Sequence, residues 1–497
     1  MKRPCAFLSL LLAAAILVSC SGEAHDTIPE VTTDAYDGRT YTHEERLSLI
    51  DDAVLKLPSS FYDSEAKEKY FDCLHVINEE YLKPGVVPDR AFWEFEQAKA
   101  ALTVSYRSDY PVIALKIPSN LGKNYEEGYI TAISADGVIE SDVNVKVRGN
   151  STASAEKKPY NVKFPSKVSL FGMEEGKKWC LIANMFDKTL MRNKLALDFA
   201  SKLELDYVSQ STFCEVWVNG KFRGNYLCCE PVSDGKNRVA VDTDKFDFIL
   251  EVSPFGGWDF RTGEGVELIY DSPESPTDKQ KEHLDKLLSK AEEAMKTGDV
   301  KKYSKYIDVD SFVDLYVMME LFKDVDGYWK SLYFYVKDDI LYAGPPWDFD
   351  LTCGNVSLTH EEDNYYDYHN IKGHGDNSGD STHGLRMDHG WWAILLDTEH
   401  FSSLVRARYK ELQPLIVNLY SDNSLGENQI DLLLSENRSS FDREYKQNET
   451  DYNAGWDVYA CYSVYAGESK GDYDANVDYL RSWLEKRNEW LLENIGK

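Results

Sequence analysis

The pattern of apolar residues changes from helical to β-type near residue 105, and that change constrains the fold more than any bulk property does. From Thr42 to Leu102 apolar positions recur at helical spacing. Leu47, Ile50, Val54 and Leu55 follow Thr42-His43-Glu44-Glu45, where a Glu three residues after a Thr has the form of a capping box. Pro84 to Pro88 interrupts this pattern, and the stretch from Phe92 to Leu102 resumes it. Beyond it the runs are short and β-type, at 110–117, 130–133, 143–147, 213–218, 225–229 and 248–252, separated by Ser, Gly, Asn and Asp. Asn219-Gly220 between two of these runs predicts a tight hairpin, because both residues tolerate positive φ. A charged amphipathic helix is expected over 277–297 and a far more apolar one over 309–322. Residues 332–336 and 340–342 pair about an Asp338-Asp339 turn, and the C-terminal third reads as mainly helical. No fixed-period repeat appears. The pattern predicts an α+β fold, a mixed sheet lobe joined to a helical lobe.

Charge removes several classes of partner. Among 497 residues, 55 Lys and Arg face 85 Asp and Glu, a net charge of -30. Nucleic acid needs a basic surface to displace counterions, and so does adhesion to anionic lipid through a basic patch. With 43% hydrophobic and 13% aromatic residues the chain is nonetheless composed like a globular protein.

The front end reads as a leader. Met1-Lys2-Arg3 is basic, Ala6 to Val18 is apolar apart from Ser9, and the segment closes on Leu17-Val18-Ser19-Cys20. That ending resembles the lipobox of bacterial lipoproteins, which implies a signal peptide over 1–19, lipid on Cys20 and a polar tether over 20–41. The acidic residues after Cys20 resemble the surface-export signal of Bacteroidetes lipoproteins. Together these imply an outer-membrane lipoprotein, on the periplasmic face or at the cell surface. Seven further Cys have no regular spacing and no CxxC pair, so neither a disulfide framework nor a structural zinc site is expected.

Two blocks can carry chemistry. Asp324-Val-Asp326-Gly-Tyr-Trp-Lys-Ser331 leads through a hairpin to Pro345-Pro-Trp-Asp348-Phe-Asp350. In an extended segment Asp348 and Asp350 face the same way, and two close carboxylates repel unless a cation such as Mg²⁺ or Ca²⁺ lies between them. The second block is Arg148-Gly-Asn150-Ser-Thr152, followed by Lys157, Lys158 and Lys163, a concentration of positive charge beside a turn that suits an anion. No GxxxxGK[ST] occurs, so this is not a P-loop.

These blocks resemble the spore-coat-protein-H-like (CotH) kinase family. The resemblance also includes Trp179-Cys-Leu-Ile-Ala-Asn184-Met-Phe-Asp187, Met191-Arg192-Asn193, and Val218-Asn219-Gly220-Lys-Phe-Arg-Gly224 through to Glu230. They occur in the family's order, and the resemblance implies a kinase-like domain over 106–495 behind a helical lead-in over 42–105. It implies an atypical, secreted kinase that uses ATP and Mg²⁺ (or Mn²⁺) to phosphorylate Ser or Thr of extracytoplasmic proteins. By that resemblance Asp326 takes or orients the acceptor proton, Asp348 and Asp350 hold metal, and Lys158 or Lys163 meets the phosphates with Glu230 orienting the lysine. Arg148 is either a phosphate contact or a structural ion-pair residue. Ser331 stands where ordinary kinases carry a metal-holding Asn, and it is the weaker oxygen ligand.

A polar insertion over 360–390 holds five of the ten His, with Tyr365, Tyr366 and Tyr368. It suits either a transition metal or a polar lid that contacts a protein or glycan. Two rival functions remain: a catalytically inactive surface lipoprotein that binds glycan or protein, and a metal-dependent hydrolase built on Asp348 and Asp350.

Overall fold

The computed structural model describes residues 36–53, 55, 59–102, 110–150, 152–252, 257–324, 330–355, 390–451 and 473–496. Cys20 and the leader, Asp326, and the His-rich stretch 360–389 lie outside them. The described chain falls into two compact units.

The smaller unit takes the residues up to Lys116 together with Tyr129–Glu140 and Trp217–Phe222. It begins with α1 (His43–Asp51), whose cap has the expected reciprocal form: Thr42 Oγ1 accepts from Glu45 N–H and the Glu45 carboxylate accepts from Thr42 N–H. α2 (Ser64–Leu82) and α3 (Asp89–Ala100) follow, parted at the prolines as the sequence predicts. Buried Glu80 closes that corner by accepting from Gly85 N–H at 2.6 Å and Val87 N–H at 3.2 Å. Ile77, Phe92 and Phe95 form the middle of the helical core. β1 (Val112–Lys116) pairs antiparallel with β2 (Glu126–Ser134), and Val112, Ala114 and Ile133 pack on Phe61 and Tyr62.

The larger unit takes most of the strands of two sheets. In the first, β3 (Gly137–Val147), β4 (Tyr160–Val168) and β5 (Gly176–Ile182) run antiparallel, and β7 (Lys221–Cys229) lies between β5 and β6 (Ser211–Val218). The β6–β7 turn is the predicted one, with Asn219 at φ 50° and Gly220 at φ 77°. Val145, Val162 and Trp179 stand in register on one buried face. α4 (Arg192–Ala200) follows β5 through the loop at 183–191. The second sheet is built from β8 (Phe248–Val252), β9 (Phe260–Arg261), β10 (Glu267–Ser272), β11 (Tyr333–Lys337) and β12 (Ile340–Ala343), in the order β12-β11-β8-β10-β9.

Besides α4 and some shorter turns, the helices of this unit include α5 (Asp278–Lys296), α6 (Val309–Phe322), α7 (Glu399–Glu411), α8 (Gln429–Asp451) and α9 (Tyr473–Asn494). The 309–322 run forms α6 as predicted, and every residue from Ser311 to Phe322 is buried. Its two buried acids are matched by cations from other helices: Asp314 by Arg408 of α7 at 2.7 Å, Glu320 by Arg487 of α9 at 3.1 Å. The fold is α+β, as expected. Six Cys among the described residues are free and buried, in keeping with core roles. No helix among the described residues is long and apolar enough to cross a membrane.

Candidate functional site

The acidic loop after β12 is built on a buried base. Pro345, Pro346 and Trp347 are buried, Asp348 is exposed, Phe349 is buried and Asp350 is half-buried. The alternation expected from sequence is present in exposure, but the backbone is not an extended strand. Asp348 sits at φ 66°, in the left-handed region that Asp tolerates better than most residues.

What holds this loop is the pair of blocks around Asn184 and Asn193. Phe349 N–H donates to Asn193 Oδ1 at 2.7 Å, Asn193 Nδ2 donates to Asn184 Oδ1 at 3.1 Å, and Asn184 Nδ2 donates to Leu190 O at 2.9 Å. Arg192 Nε reaches Thr352 O at 3.0 Å, while its Nη1 pairs with Asp187 Oδ1 at 2.5 Å and its backbone N–H with Oδ2 at 2.7 Å. Asn355 Nδ2 closes the loop onto Phe186 O at 2.9 Å and Asp350 O at 2.6 Å. All of these struts except the half-buried bond to Asp350 O are buried, so they form away from competing water.

Ser331 Oγ donates to Asp348 Oδ2 at 3.1 Å, and Ser331 is itself left-handed at φ 53°. Two sparsely populated backbone conformations therefore meet at one hydrogen bond. The donor chemistry fits a hard cation: Mg²⁺ is usually held through one or two carboxylates with the remaining positions left to water and phosphate oxygens. Among the described residues no group of three or more His, Cys, Asp or Glu could hold a metal by itself.

Opposing charge comes from the first sheet. At the end of β3, Lys146 and the following Arg148 alternate with buried Val145 and Val147, and Lys163 stands in register with Asn144 on one side and Lys178 on the other. The Arg148 guanidinium lies 5.3 Å over the Trp347 ring. Burial opposes its charge, but Cys180, Asp348 and the neighbouring groups raise its pKa on balance. Lys158 instead turns inward on its own loop, donating to Ala153 O at 3.0 Å and Ala155 O at 3.1 Å. Lys163 is exposed on β4. Glu230 is paired with Arg238 Nη1 at 2.6 Å and accepts from Tyr207 OH and Gln210 N–H, so its partner is an arginine and neither Lys158 nor Lys163. Burial, the largest influence, pushes its carboxyl above the usual range.

Four residues absent from the sequence reading belong to this surface. Glu251 of β8 faces Tyr333 across the β8–β11 pair, and Asp271 occupies an irregularity in the β10 register. Burial, then the charge of Asp271, pushes Glu251 up to about 7. Burial likewise pushes Asp271 up to about 6, against the pull of Lys178. A lone acid inside the apolar run Phe248-Ile-Leu-Glu-Val is the signal that marks Glu251; Lys178 has none beyond its place in a strand.

The geometry thus defines an α+β protein with a braced acidic loop against a cationic strand face. The sequence model described as "CotH kinase protein" matches residues 145–491, which include the acidic loop, its struts, Arg148, Lys163 and Lys178. The chain belongs to the CotH kinase family. It is also 26% identical over 295 residues to inner spore coat protein H of Bacillus subtilis (strain 168), an alignment covering 56% of this chain and 78% of that protein.

Proposed function

We propose that the protein is an atypical kinase that transfers the γ-phosphoryl group of ATP to Ser or Thr hydroxyls of extracytoplasmic proteins, anchored by lipid at Cys20. The observation that carries this reading is the Ser331–Asp348 hydrogen bond on a braced acidic loop, electrostatically coupled to Arg148. Phosphoryl transfer asks for alignment and charge neutralisation more than for covalent chemistry, and this arrangement supplies both.

Asp348, Asp350 and Ser331 are the residues that would hold Mg²⁺ or Mn²⁺. When bound, the ion neutralises charge on the phosphate oxygens. Arg148 supplies cationic charge just past the end of β3, with Lys163 and Lys178 along the strands. Lys158 serves indirectly, by shaping the Arg148 loop. Asp326 takes the hydroxyl proton as the acceptor oxygen bonds to phosphorus and ADP leaves. A rival reading rests on Ser331 standing at an Asn position: a kinase-like fold that binds glycan or protein without turnover.

One assay decides between them. The mature protein is incubated with γ-labelled ATP, Mg²⁺ and a Ser-rich protein acceptor, beside Asp326→Ala and Asp348→Ala. Transfer by the unaltered chain that both variants lose supports the kinase. Absence of nucleotide binding by calorimetry supports the binding protein, and phosphate release that needs no acceptor supports a hydrolase.

A further inference from the structure

We propose that Glu444 of α8 is a positioning residue of the nucleotide site, acting through Lys157 on the loop that carries Arg148; this rests on the kinase reading. Lys157 ends that loop, and its ammonium is buried with three partners. It donates to Glu444 Oε1 at 2.5 Å and to Asn225 O at 2.6 Å, and it lies 4.7 Å over the Tyr226 ring. The other Glu444 oxygen accepts from Asn225 N–H at 2.7 Å. Gly224 makes room for this cluster: it sits at φ 100°, and a Cβ there would lie 2.8 Å from Glu444 Oε2 and 3.3 Å from Lys157 Cε.

The path to the site is short. Two residues beyond Lys157, Pro159 O accepts from Arg148 N–H at 3.1 Å, and Tyr226 OH donates to Lys158 O at 3.0 Å. Arg148 in turn stacks on Trp347, next to Asp348. The residue after Glu444 reaches the opposite side of the site: Tyr445 OH donates to Lys188 O at 2.5 Å, beside the Asp187–Arg192 strut of the acidic loop. Consecutive residues of one helix therefore hold the cationic loop and the brace of the acidic loop.

An ion pair this deeply buried is a poor choice for stability alone, since apolar residues of similar volume do as well or better. Its directional bonds do what apolar packing cannot, which is to set where a loop lies. The proposal is tested by comparing Glu444→Gln, Lys157→Met and the apolar double variant Lys157→Met/Glu444→Leu with the unaltered protein. ATP binding is measured by calorimetry with Mg²⁺, and transfer kinetics are measured well below each melting temperature. Positioning predicts Kd and KM for ATP roughly tenfold higher in both single variants, equivalent to one well-formed charge-assisted bond. It predicts kcat within a factor of about two, because neither residue touches the reacting atoms. The double variant regains thermal stability without regaining ATP affinity. Unchanged Kd and KM in the folded single variants, or affinity that returns with stability in the double variant, overturns the proposal. Failure of the unaltered protein to bind ATP overturns the kinase reading, and this inference with it.

Discussion

Asn193 accepts the backbone N–H of Phe349 at 2.7 Å, joining two residues 156 positions apart and seating the acidic loop on α4. Neither group meets water, so removing the side chain leaves a buried amide unsatisfied. Asn193→Ala is expected to lower stability by about 1–3 kcal/mol in urea unfolding. In the remaining folded protein phosphoryl transfer should fall further than stability does, because Phe349 separates Asp348 from Asp350. Equal transfer per folded molecule would show that the loop does not need this strut.

The Asp187–Arg192 pair is the second support. Removing one partner strands a charge, and Asp187→Asn should cost about 3–5 kcal/mol. The double variant Asp187→Leu/Arg192→Met should cost less than either single change, because both charges leave together. Chemical denaturation of the three proteins checks the order, and a double variant weaker than both singles would contradict it.

Ser331 offers a gain-of-function test. Its φ of 53° is one that Asn adopts more readily than Ser, so Ser331→Asn fits the backbone and adds a better oxygen ligand. The Mg²⁺ concentration for half-maximal transfer should fall by about fivefold, the equivalent of about 1 kcal/mol. A rise on titration would mean that Ser331 serves Asp348 by hydrogen bonding alone.

Glu251 and Asp271 predict a pH dependence. Burial pushes both carboxyls up, to about 7 and about 6, whereas in the unfolded chain they titrate near about 4. The folded state therefore holds more protons through this window. Their contribution is full below about pH 4 and is lost as pH rises through about 6 and about 7. Glu251→Gln should flatten the decline in urea midpoint between pH 5 and pH 8. A slope equal to that of the unaltered protein would falsify this assignment.

Local chemistry carried much of the fold into the sequence. The two positive φ angles of Asn219-Gly220 announce a hairpin, and the apolar run 309–322 could only be a buried helix. β4 and β5 were harder to read as strands, because Lys163 and Lys178 on their outer face break the apolar run while Val162 and Trp179 carry the inner one. In the candidate site, the acids of the 348–350 loop were legible from their Trp and Pro surroundings. Their geometry was not, since strand alternation assumes an extended backbone and Asp348 is left-handed. Side-chain ion pairs were hidden for a different reason. Nothing near Glu230 names Arg238 over Lys158, and nothing near Lys157 names Glu444, 287 positions away.

The first sheet gathers Cys180 on β5, Cys214 on β6, and Cys228 and Cys229 on β7, with Cys180 and Cys229 directly across from each other. Burial raises all four thiols, so thiolate, the form that exchanges, is scarce while the sheet is closed. An opened sheet releases four reactive partners at once, with three ways to pair them. Heating and cooling in air should therefore trap scrambled, oxidised chains, and the same cycle with a reductant should return the native fold. For this protein the rate at which the sheet opens, more than its equilibrium stability, sets how long it survives in an oxidising medium.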